Sequence, residues 1–182
     1  VMYSCAILGN SSLKCWGSIS GSSSSPTPTI INLGTGRTAM SVSTQGDHSC
    51  VILDNGELKC WGYNNDGELG INSTTESAFP AAVNLGPGRT AIKMSTGYHH
   101  SCASLDDGSL KCWGNNYYGQ LGNGNYTQYN YPVQVEGMTG PDWSLMGAVI
   151  GKPRVVAPAT TYTIWANNSV GNHSTNMSIT VV

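Results

Sequence analysis

The sequence has little charge, a single phenylalanine and no long apolar segment. Charged residues make up 10% of its 182 residues and the formal net charge is −2, which leaves no basic face for nucleic acid. No run approaches the roughly 18 apolar residues of a membrane-spanning helix, so we expect no membrane insertion. No segment has the helical apolar period of about 3.6, which argues against amphipathic helices. The sequence begins at Val1 without the pattern of a signal peptide, and we expect a mature or partial chain.

The sequence contains instead short apolar runs separated by glycine and proline, a pattern typical of all-β proteins. One unit recurs at residues 5–17, 50–62 and 102–114, and it holds all six cysteines, with nine residues between the two cysteines of each copy. The second and third copies carry Asp-Asn-Gly and Asp-Asp-Gly between their apolar runs. Because this pattern indicates a hairpin whose three-residue loop ends in glycine, each copy is predicted to be a β-hairpin.

The register of these hairpins predicts which cysteines are paired. With a loop at residues 54–56, Leu53 faces Glu57 in a hydrogen-bonded pair, and alternation makes Cys50 and Cys60 a non-hydrogen-bonded pair. The Cα atoms of such a pair are about 4.5 Å apart, a separation that a disulfide tolerates. We therefore predict three cross-hairpin disulfides: Cys5–Cys15, Cys50–Cys60 and Cys102–Cys112. The alternative is six reduced cysteines packed as small apolar side chains.

Disulfides indicate a location outside the cytosol, so we expect a secreted protein, extracellular or at the cell surface. Sequons of the form Asn-x-Ser/Thr agree with that compartment. They begin at Asn10, Asn72, Asn125, Asn167, Asn172 and Asn176. Asn10 lies at the tip of the first hairpin, and Asn72 and Asn125 occupy the same loop of two repeats. We predict that at least two sequons carry N-glycans; the alternative is polar loops without glycan.

The spacing between successive copies, 45 and then 52 residues, is typical of β-propeller blades. The longer spacing comes from residues 63–70, which end in Gly-Glu-Leu-Gly; repeat three has the counterpart at residues 115–122, and repeat one lacks it. The ordered motifs His-Ser-Cys, Asp-Asn/Asp-Gly, Lys-Cys-Trp-Gly and Gly-Glu/Gln-Leu-Gly resemble the regulator-of-chromosome-condensation repeat in a secreted, disulfide-bearing variety, best over residues 38–137. The resemblance implies a β-propeller with one four-stranded blade per repeat.

The chain is thus predicted to be all-β and to begin with three propeller-blade-like antiparallel repeats. These fill residues 1–140, at about 1–37, 38–90 and 91–140. Residues 18–29 are rich in serine, threonine and proline, and we expect them to be an exposed loop or a flexible connector.

Residues 141–182 no longer follow the repeat. Alternating segments at 161–166 and 174–182 resemble the closing strands of immunoglobulin-like domains of microbial surface proteins, but they cover only about half such a domain. So short a segment rarely buries a sufficient core alone. We therefore expect a small C-terminal immunoglobulin-like β module that packs on the repeats or is completed by another chain.

Histidines near cysteines are the first candidates for chemistry. His48 and His100 stand two residues before Cys50 and Cys102, a spacing that would suit a Cys–His nucleophile or a metal site. Each histidine recurs at a fixed repeat position, and each cysteine has a predicted disulfide partner. His99 is a weak indication of a metal site because no carboxylate pattern surrounds it in the sequence. We predict no catalytic residue and no enzyme activity.

Carboxylates are the second candidates, as calcium ligands. Asp54, Asp106 and Asp107 are explained by their turn positions without a metal. Asp66 and Glu68 have a tyrosine and Gln120 at the matching sites of repeat three, so no ligand set repeats. The sequence therefore predicts neither a metal site nor a cofactor.

Tyrosines are concentrated in the loops of repeat three, where aromatic side chains on a rigid β scaffold would form a binding surface for carbohydrate or protein. They are Tyr117, Tyr118, Tyr126, Tyr129 and Tyr131. The alternative is that some of them pack on neighbouring side chains. The tryptophans that share one repeat position are predicted to be core residues: Trp16, Trp61 and Trp113.

Three repeats are too few for a closed propeller ring, which takes about four to eight blades. Open sheet edges are templates for pairing with another chain, and a head-to-tail contact that does not close generates a filament. We therefore predict a non-enzymatic extracellular or cell-surface structural protein whose partners are copies of itself, with glycans as a second class. The alternative is a secreted β-propeller binding module for a protein or carbohydrate ligand, of which this chain is a fragment.

Overall fold

The computed structural model describes residues 3–18, 24–138, 161–166 and 175–180, the last two ranges only as strands. The chain divides into two compact units, Val1–Met146 and Gly147–Val182. The strands of the first unit are β1 (Tyr3–Ile7), β2 (Leu13–Gly17), β3 (Ser25–Ile30), β4 (Ala39–Gln45), β5 (His48–Leu53), β6 (Leu58–Gly62), β7 (Ser77–Ala82), β8 (Ala91–Thr96), β9 (His100–Leu105), β10 (Leu110–Gly114) and β11 (Tyr129–Gln134). The described ranges contain no helix that could cross a membrane.

The first unit consists of three antiparallel sheets, one for each repeat. The strand orders are β1-β2-β3, β4-β5-β6-β7 and β8-β9-β10-β11. The all-β class and the blade-like repeats predicted from the sequence are confirmed. The first sheet starts with the strand that corresponds to β5, so its described part has no counterpart of β4.

The repeated hairpins have the predicted register. Leu53 donates its backbone N–H to Glu57 O at 2.9 Å, and Cys50 lies opposite Cys60. Disulfides join Cys5 to Cys15, Cys50 to Cys60 and Cys102 to Cys112, with Cα atoms 4.1 Å apart in each case. No cysteine of the described ranges is free.

The last strand of each sheet in chain order lies at a sheet edge and carries proline; we call it the outer strand. Pro26 and Pro28 lie in β3, Pro80 in β7 and Pro132 in β11. Proline lacks an N–H donor and is tolerated at a sheet edge, where only one neighbour must be paired. The prediction of a loop or connector at residues 18–29 is therefore wrong for residues 25–29, because Ser25–Ile30 forms β3.

The core lies between neighbouring sheets, where apolar side chains of one repeat meet those of the next. Trp61 joins Leu13 and Leu33 of the first repeat, and Trp113 joins Leu69 and other residues of the second. Both tryptophans are at most 1% exposed. Trp16 is only half-buried, so the prediction that all three tryptophans are core residues holds for two of them.

Polar residues that recur in the repeats hold the turns together. Asp54 Oδ1 accepts the backbone N–H of Thr38 at 3.1 Å, and Arg37 pairs with the same carboxylate at 3.3 Å. Lys59 Nζ donates to the carbonyl of Leu33 at 3.0 Å. Repeat three shows the same contacts through Arg89, Asp106 and Lys111. The turn carboxylates thus have structural partners within the repeat.

In the second unit, β12 (Thr161–Ala166) pairs antiparallel with β13 (Thr175–Thr180). Ile164 lies opposite Met177 and Tyr162 opposite Ile179. Two strands agree with the predicted alternating segments, but the immunoglobulin-like assignment stays a prediction. The predicted boundary after residue 140 lies outside the described residues.

Candidate functional site

The loops that connect the strands meet at one end of the repeats. This loop end consists of the turns at residues 46–47 and 97–99 and the long loops at residues 63–76 and 115–128. Each long loop leaves its sheet beside the preceding turn, because Tyr63 N donates to Asp47 O at 2.9 Å and Asn115 N donates to His99 O at 2.8 Å. The hairpin turns with the aspartates lie at the opposite end of the strands.

A buried asparagine holds each long loop in shape. Asn116 Nδ2 donates to the carbonyls of Asn125 and Thr127, both at 2.9 Å, and its Oδ1 accepts the N–H of Leu121 at 3.0 Å. Asn64 makes the matching contacts in repeat two. Because these bonds satisfy buried backbone groups across the loop, side chains on the loop are presented from a rigid frame.

Three of the five predicted tyrosines form one exposed patch on this frame. Tyr117, Tyr118 and Tyr126 are 74%, 83% and 76% exposed. The first two rings contact edge to face with centroids 4.8 Å apart, and Tyr126 lies against Gly119, where an added Cβ would be 3.3 Å from its ring. We call these three residues the tyrosine patch.

The other two predicted tyrosines lie elsewhere, on strand β11. Tyr129 packs against the small core cluster of repeat three. Tyr131 lines a cleft of about 600 Å³ together with Asn72 and Lys111. The predicted five-residue surface is therefore divided into a loop patch and an outer-strand pair.

A cluster of metal-ligating side chains that the sequence does not reveal lies beside the tyrosine-bearing loops. Asp66 and Glu68 from the loop of repeat two lie near His99 from the turn of repeat three: His99 Nδ1 is 3.3 Å from Glu68 Oε1 and 3.5 Å from Asp66 Oδ2. No carboxylate pattern surrounds His99 in the sequence, but the expectation that it therefore lacks carboxylate neighbours is wrong, because two carboxylates contact it in the folded chain. The donor and acceptor groups come from segments more than 30 residues apart, so no local motif could reveal them.

The predicted structural role of the repeat-position histidine agrees with its contacts. His48 is 1% exposed and its Nε2 lies 2.7 Å from Ser101 Oγ. The hydroxyl of Ser101 donates to the carbonyl of Glu68 at 2.9 Å, so it accepts from the Nε2–H of a neutral His48. A hydroxyl whose proton is given to a carbonyl is not an activated nucleophile. Burial lowers the pKa of His48 to about 4, which keeps it neutral.

Tyr3 takes the place of this histidine in repeat one. Its hydroxyl pairs with Ser49, the counterpart of Ser101, and burial raises the pKa of Tyr3 to about 12. Burial also lowers the pKa of the half-buried His100. At the hairpin turn, hydrogen bonds from Ser109 lower the pKa of Asp107. None of these contacts forms a catalytic constellation within the described ranges.

The predicted glycosylation sites Asn10, Asn72 and Asn125 are all exposed. Asn72 has a left-handed backbone, with φ of 57°. Asn167 and Asn172 lie outside the described residues, as does the side chain of Asn176. Glycosylation therefore stays a prediction, with three sites sterically accessible.

Comparison with known proteins gives a family and several relatives. The family pattern of the regulator of chromosome condensation (RCC1) repeat matches residues 55–104 and 107–147. The chain is 31% identical over 83 residues to the ultraviolet-B receptor UVR8 of Arabidopsis thaliana, covering 46% of this chain and 19% of that protein. It is 37% identical over 73 residues to the X-linked retinitis pigmentosa GTPase regulator of the dog, Canis lupus familiaris, covering 40% of this chain and 7% of that protein. The chain thus spans a fifth or less of these relatives.

Solved structures share the fold. Human WBSCR16 superimposes with a TM-score of 0.63 at 22% identity, covering 73% of this chain and 37% of that one. Prp20p of Saccharomyces cerevisiae, described with its binding to Gsp1p and histones, superimposes with a TM-score of 0.64 at 19% identity, covering 74% and 36%. At these identities the likeness concerns the fold alone.

Proposed function

This chain belongs to the regulator of chromosome condensation (RCC1) repeat family, and on that premise we propose that it is a non-enzymatic binding module that holds a protein partner on its loop end. The observation that carries the proposal is the tyrosine patch: three rings, each at least 74% exposed, on a loop fixed by a buried asparagine. Tyrosine supplies large contact area at low conformational cost, and aromatic residues are enriched at interface cores.

Further exposed aromatic and polar groups extend this surface on the loop end. Tyr98 is 65% exposed and contacts the ring of His99 edge to face, with centroids 4.6 Å apart. Tyr63 lies 6.3 Å from the same imidazole. An apolar centre with a polar rim is the usual composition of a protein interface. The net charge of −2 supports a protein partner rather than nucleic acid.

Relatives support a protein ligand in general terms. Prp20p is named with Gsp1p and histones, and a second structure shows it as the yeast RCC1 bound to Kap60. Those partners are properties of Prp20p, and for this chain the partner is a proposal drawn from the tyrosine patch. The filament predicted from the open sheets finds no support in the comparisons. The prolines of the outer strands also disfavour addition of a strand at those edges.

We further propose that the module works outside the cell. Three disulfides favour an oxidising compartment, and three sequons are accessible on loops and turns. N-glycans at Asn72 and Asn125 would stand on the long loops and would limit which side of the loop end a partner approaches.

Photo-crosslinking of the full chain tests the proposal. Benzoylphenylalanine replaces Tyr118 in one sample and Phe79, an equally exposed residue of β7 (77%), in the control. In an extracellular extract of the source organism, we expect position 118 to capture a distinct protein that position 79 does not. The captured protein is then purified and titrated into the chain by calorimetry. We expect Tyr117→Ala with Tyr118→Ala to weaken binding at least tenfold, since truncated aromatic anchors dominate interface energies.

Three outcomes contradict the proposal. Equal affinity of the double variant and of the unchanged chain would remove the tyrosine patch from the interface. Capture of a second copy of this chain at position 118 would favour the self-associating structural protein. Saturable binding of a glycan that depends on Tyr118, without any protein partner, would favour a carbohydrate-binding module.

A further inference from the structure

Asp66, Glu68 and His99 place three metal-ligating atoms within 4.8 Å of one another on the loop end. The distances from His99 Nδ1 to the two carboxylate oxygens are 3.3 and 3.5 Å. Both exceed the roughly 2.7–2.9 Å of a charge-assisted N–H···O bond, so both contacts are long for an ion pair. Ligands about 2.0–2.1 Å from a tetrahedral zinc ion are separated by about 3.3–3.5 Å, which matches the two distances from His99 to the carboxylate oxygens.

Glu68 is the unusual member of this cluster because its carboxylate is fully buried, with 0% exposure. Its Oε2 accepts the backbone N–H of Asp66 at 2.9 Å, and its Oε1 faces His99. Burial raises the pKa of Glu68, since an ionised carboxylate is costly in a buried site.

Repeat three shows that the fold does not require a charge at this position. Gln120 occupies the matching site, and its Oε1 accepts the N–H of Tyr118 at 2.9 Å, as Glu68 Oε2 does for Asp66. The Nε2 of Gln120 donates to Asn115 Oδ1 at 2.9 Å. A neutral amide therefore fulfils the loop-closing role. The negative charge of Glu68 is not needed for this bond, so its role lies with the groups that the carboxylate faces.

The position of Glu68 is held rigidly. Its carbonyl oxygen accepts bonds from Trp113 Nε1 at 2.8 Å and from Ser101 Oγ at 2.9 Å, so the residue is fixed to the next repeat. Tyr98 packs edge-on against the imidazole of His99. Ligands that are fixed before the ion binds are what a metal site needs.

We propose that Asp66, Glu68 and His99 form a zinc-binding site. Two carboxylate oxygens and one imidazole nitrogen are ligands that Zn²⁺ accepts, whereas Ca²⁺ and Mg²⁺ prefer oxygen alone. The side chains of His99 and Asp66 are 41% and 28% exposed, so the ion reaches the site from solvent and a water completes a fourth position. The site joins the loop of repeat two to the turn of repeat three.

Calorimetric titration of the full, chelator-treated chain with Zn²⁺ tests the site. We expect saturable binding of one ion per chain at pH 7.5. Affinity should fall at acid pH, because metal ligands must be deprotonated to bind the ion. Ca²⁺ and Mg²⁺ should give no saturable heat. Binding of Co²⁺ should give a visible absorption band that Zn²⁺ displaces, and its weak intensity should reflect nitrogen and oxygen ligands without thiolate.

Glu68→Gln is the decisive variant, because Gln120 shows that glutamine keeps the same loop bond. We expect it to weaken zinc binding at least tenfold while its far-ultraviolet circular dichroism stays unchanged. His99→Gln, at a half-exposed position, should do the same. In the matched control, Gln120→Glu adds the carboxylate to repeat three, where no histidine of the described ranges lies beside it, and the stoichiometry should remain one.

The proposal is overturned if the unchanged chain shows no saturable zinc binding. It is equally overturned if Glu68→Gln and His99→Gln both keep full affinity, because the ion would then bind elsewhere. A second equivalent site in Gln120→Glu would show that an added carboxylate suffices and that the three-residue geometry is not what selects zinc.

Discussion

The two junctions between repeats are built on the same positions but are completed differently. At the second junction, between repeats two and three, His48, Ser101 and the carbonyl of Glu68 form a chain of hydrogen bonds that also receives the indole N–H of Trp113. At the first junction, Tyr3 pairs with Ser49, and Trp61 Nε1 has no acceptor among the residues that the structure describes.

The difference follows from the Gly-Glu-Leu-Gly segment of repeat two, which repeat one lacks. This segment provides the carbonyl of Glu68 for the next tryptophan and inserts Leu69, 0% exposed, into the core between repeats. The family motif at this position therefore joins consecutive repeats, and we call residues 67–70 with their contacts to Trp113 the clasp. A buried indole N–H that has no acceptor keeps its desolvation penalty, which costs about 1–3 kcal/mol.

The largest effect on the free energy of unfolding is expected at the clasp, where Gly70 contacts Trp113. Gly70 and Gly122 both have left-handed backbones, with φ of 68° and 61°, so alanine brings a similar backbone strain at either site. A Cβ at Gly70 would lie 2.6 Å from Trp113 Nε1, whereas one at Gly122 would lie 3.1 Å from a methyl group of Val135. We expect Gly70→Ala to lower the free energy of unfolding by about 3–4 kcal/mol and Gly122→Ala by about 1–2 kcal/mol.

Urea denaturation of the two alanine variants measures this difference. Far-ultraviolet circular dichroism serves as the check that both variants fold. Equal losses in the two variants would mean that the indole of Trp113 moves aside freely and that the clasp is loose.

Acid should destabilise the second junction, relative to the first, by about 3 kcal/mol. The folded-state pKa of His48 is about 4, below its ordinary value of 6.5, so the unfolded chain binds more protons between these values. The contribution of neutral His48 to the free energy of unfolding is therefore fully present above pH 6.5. It is lost as the pH falls, by about 3 kcal/mol at pH 4. Tyr3, with a pKa of about 12, stays neutral throughout, so the first junction contributes no such loss.

Comparison of the unchanged chain with His48→Gln isolates this contribution. Denaturation midpoints at pH 7.5 and pH 4 give the loss for each protein, and we expect a flatter profile in the variant. Three other titratable groups act on His48 and remain in both proteins: His100, His99 and Asp47. The raised pKa of Glu68 acts in the opposite direction and is also shared. Parallel profiles would show that His48 does not carry the acid sensitivity.

Local features of the fold were predictable from the sequence because they depend on neighbouring residues. Asp-Asn-Gly fixes a hairpin loop, the loop fixes the register of Cys50 and Cys60, and the register fixes the disulfide. The five-tyrosine surface was predicted in part, since Tyr117 and Tyr118 share a loop whereas Tyr131 belongs to an outer strand. Strand β3 was missed because prolines argue against a strand unless it is known to be an edge.

Features that depend on contacts between repeats were not predictable. His99 approaches Asp66 and Glu68 only because the turn of one repeat lies on the loop of the previous one. Trp16 shares its motif with two buried tryptophans, yet it is half-buried and lines a cleft of about 480 Å³ with Tyr3 and Thr44. A repeat motif indicates which contacts a residue can make, but the neighbouring repeat determines whether the contact forms.

The smallest effect concerns a single hydrogen bond. Trp61 and Trp113 are equally buried, so replacing either indole by phenylalanine removes a similar amount of packed volume. Trp113→Phe also removes the bond to Glu68 O, whereas Trp61→Phe removes a donor that has no partner in the described structure. We therefore expect Trp113→Phe to cost about 1–2 kcal/mol more than Trp61→Phe. Urea midpoints with unchanged slopes give this difference directly. Equal costs would mean that the Trp61 indole finds an acceptor in solution and that the first junction is as complete as the second.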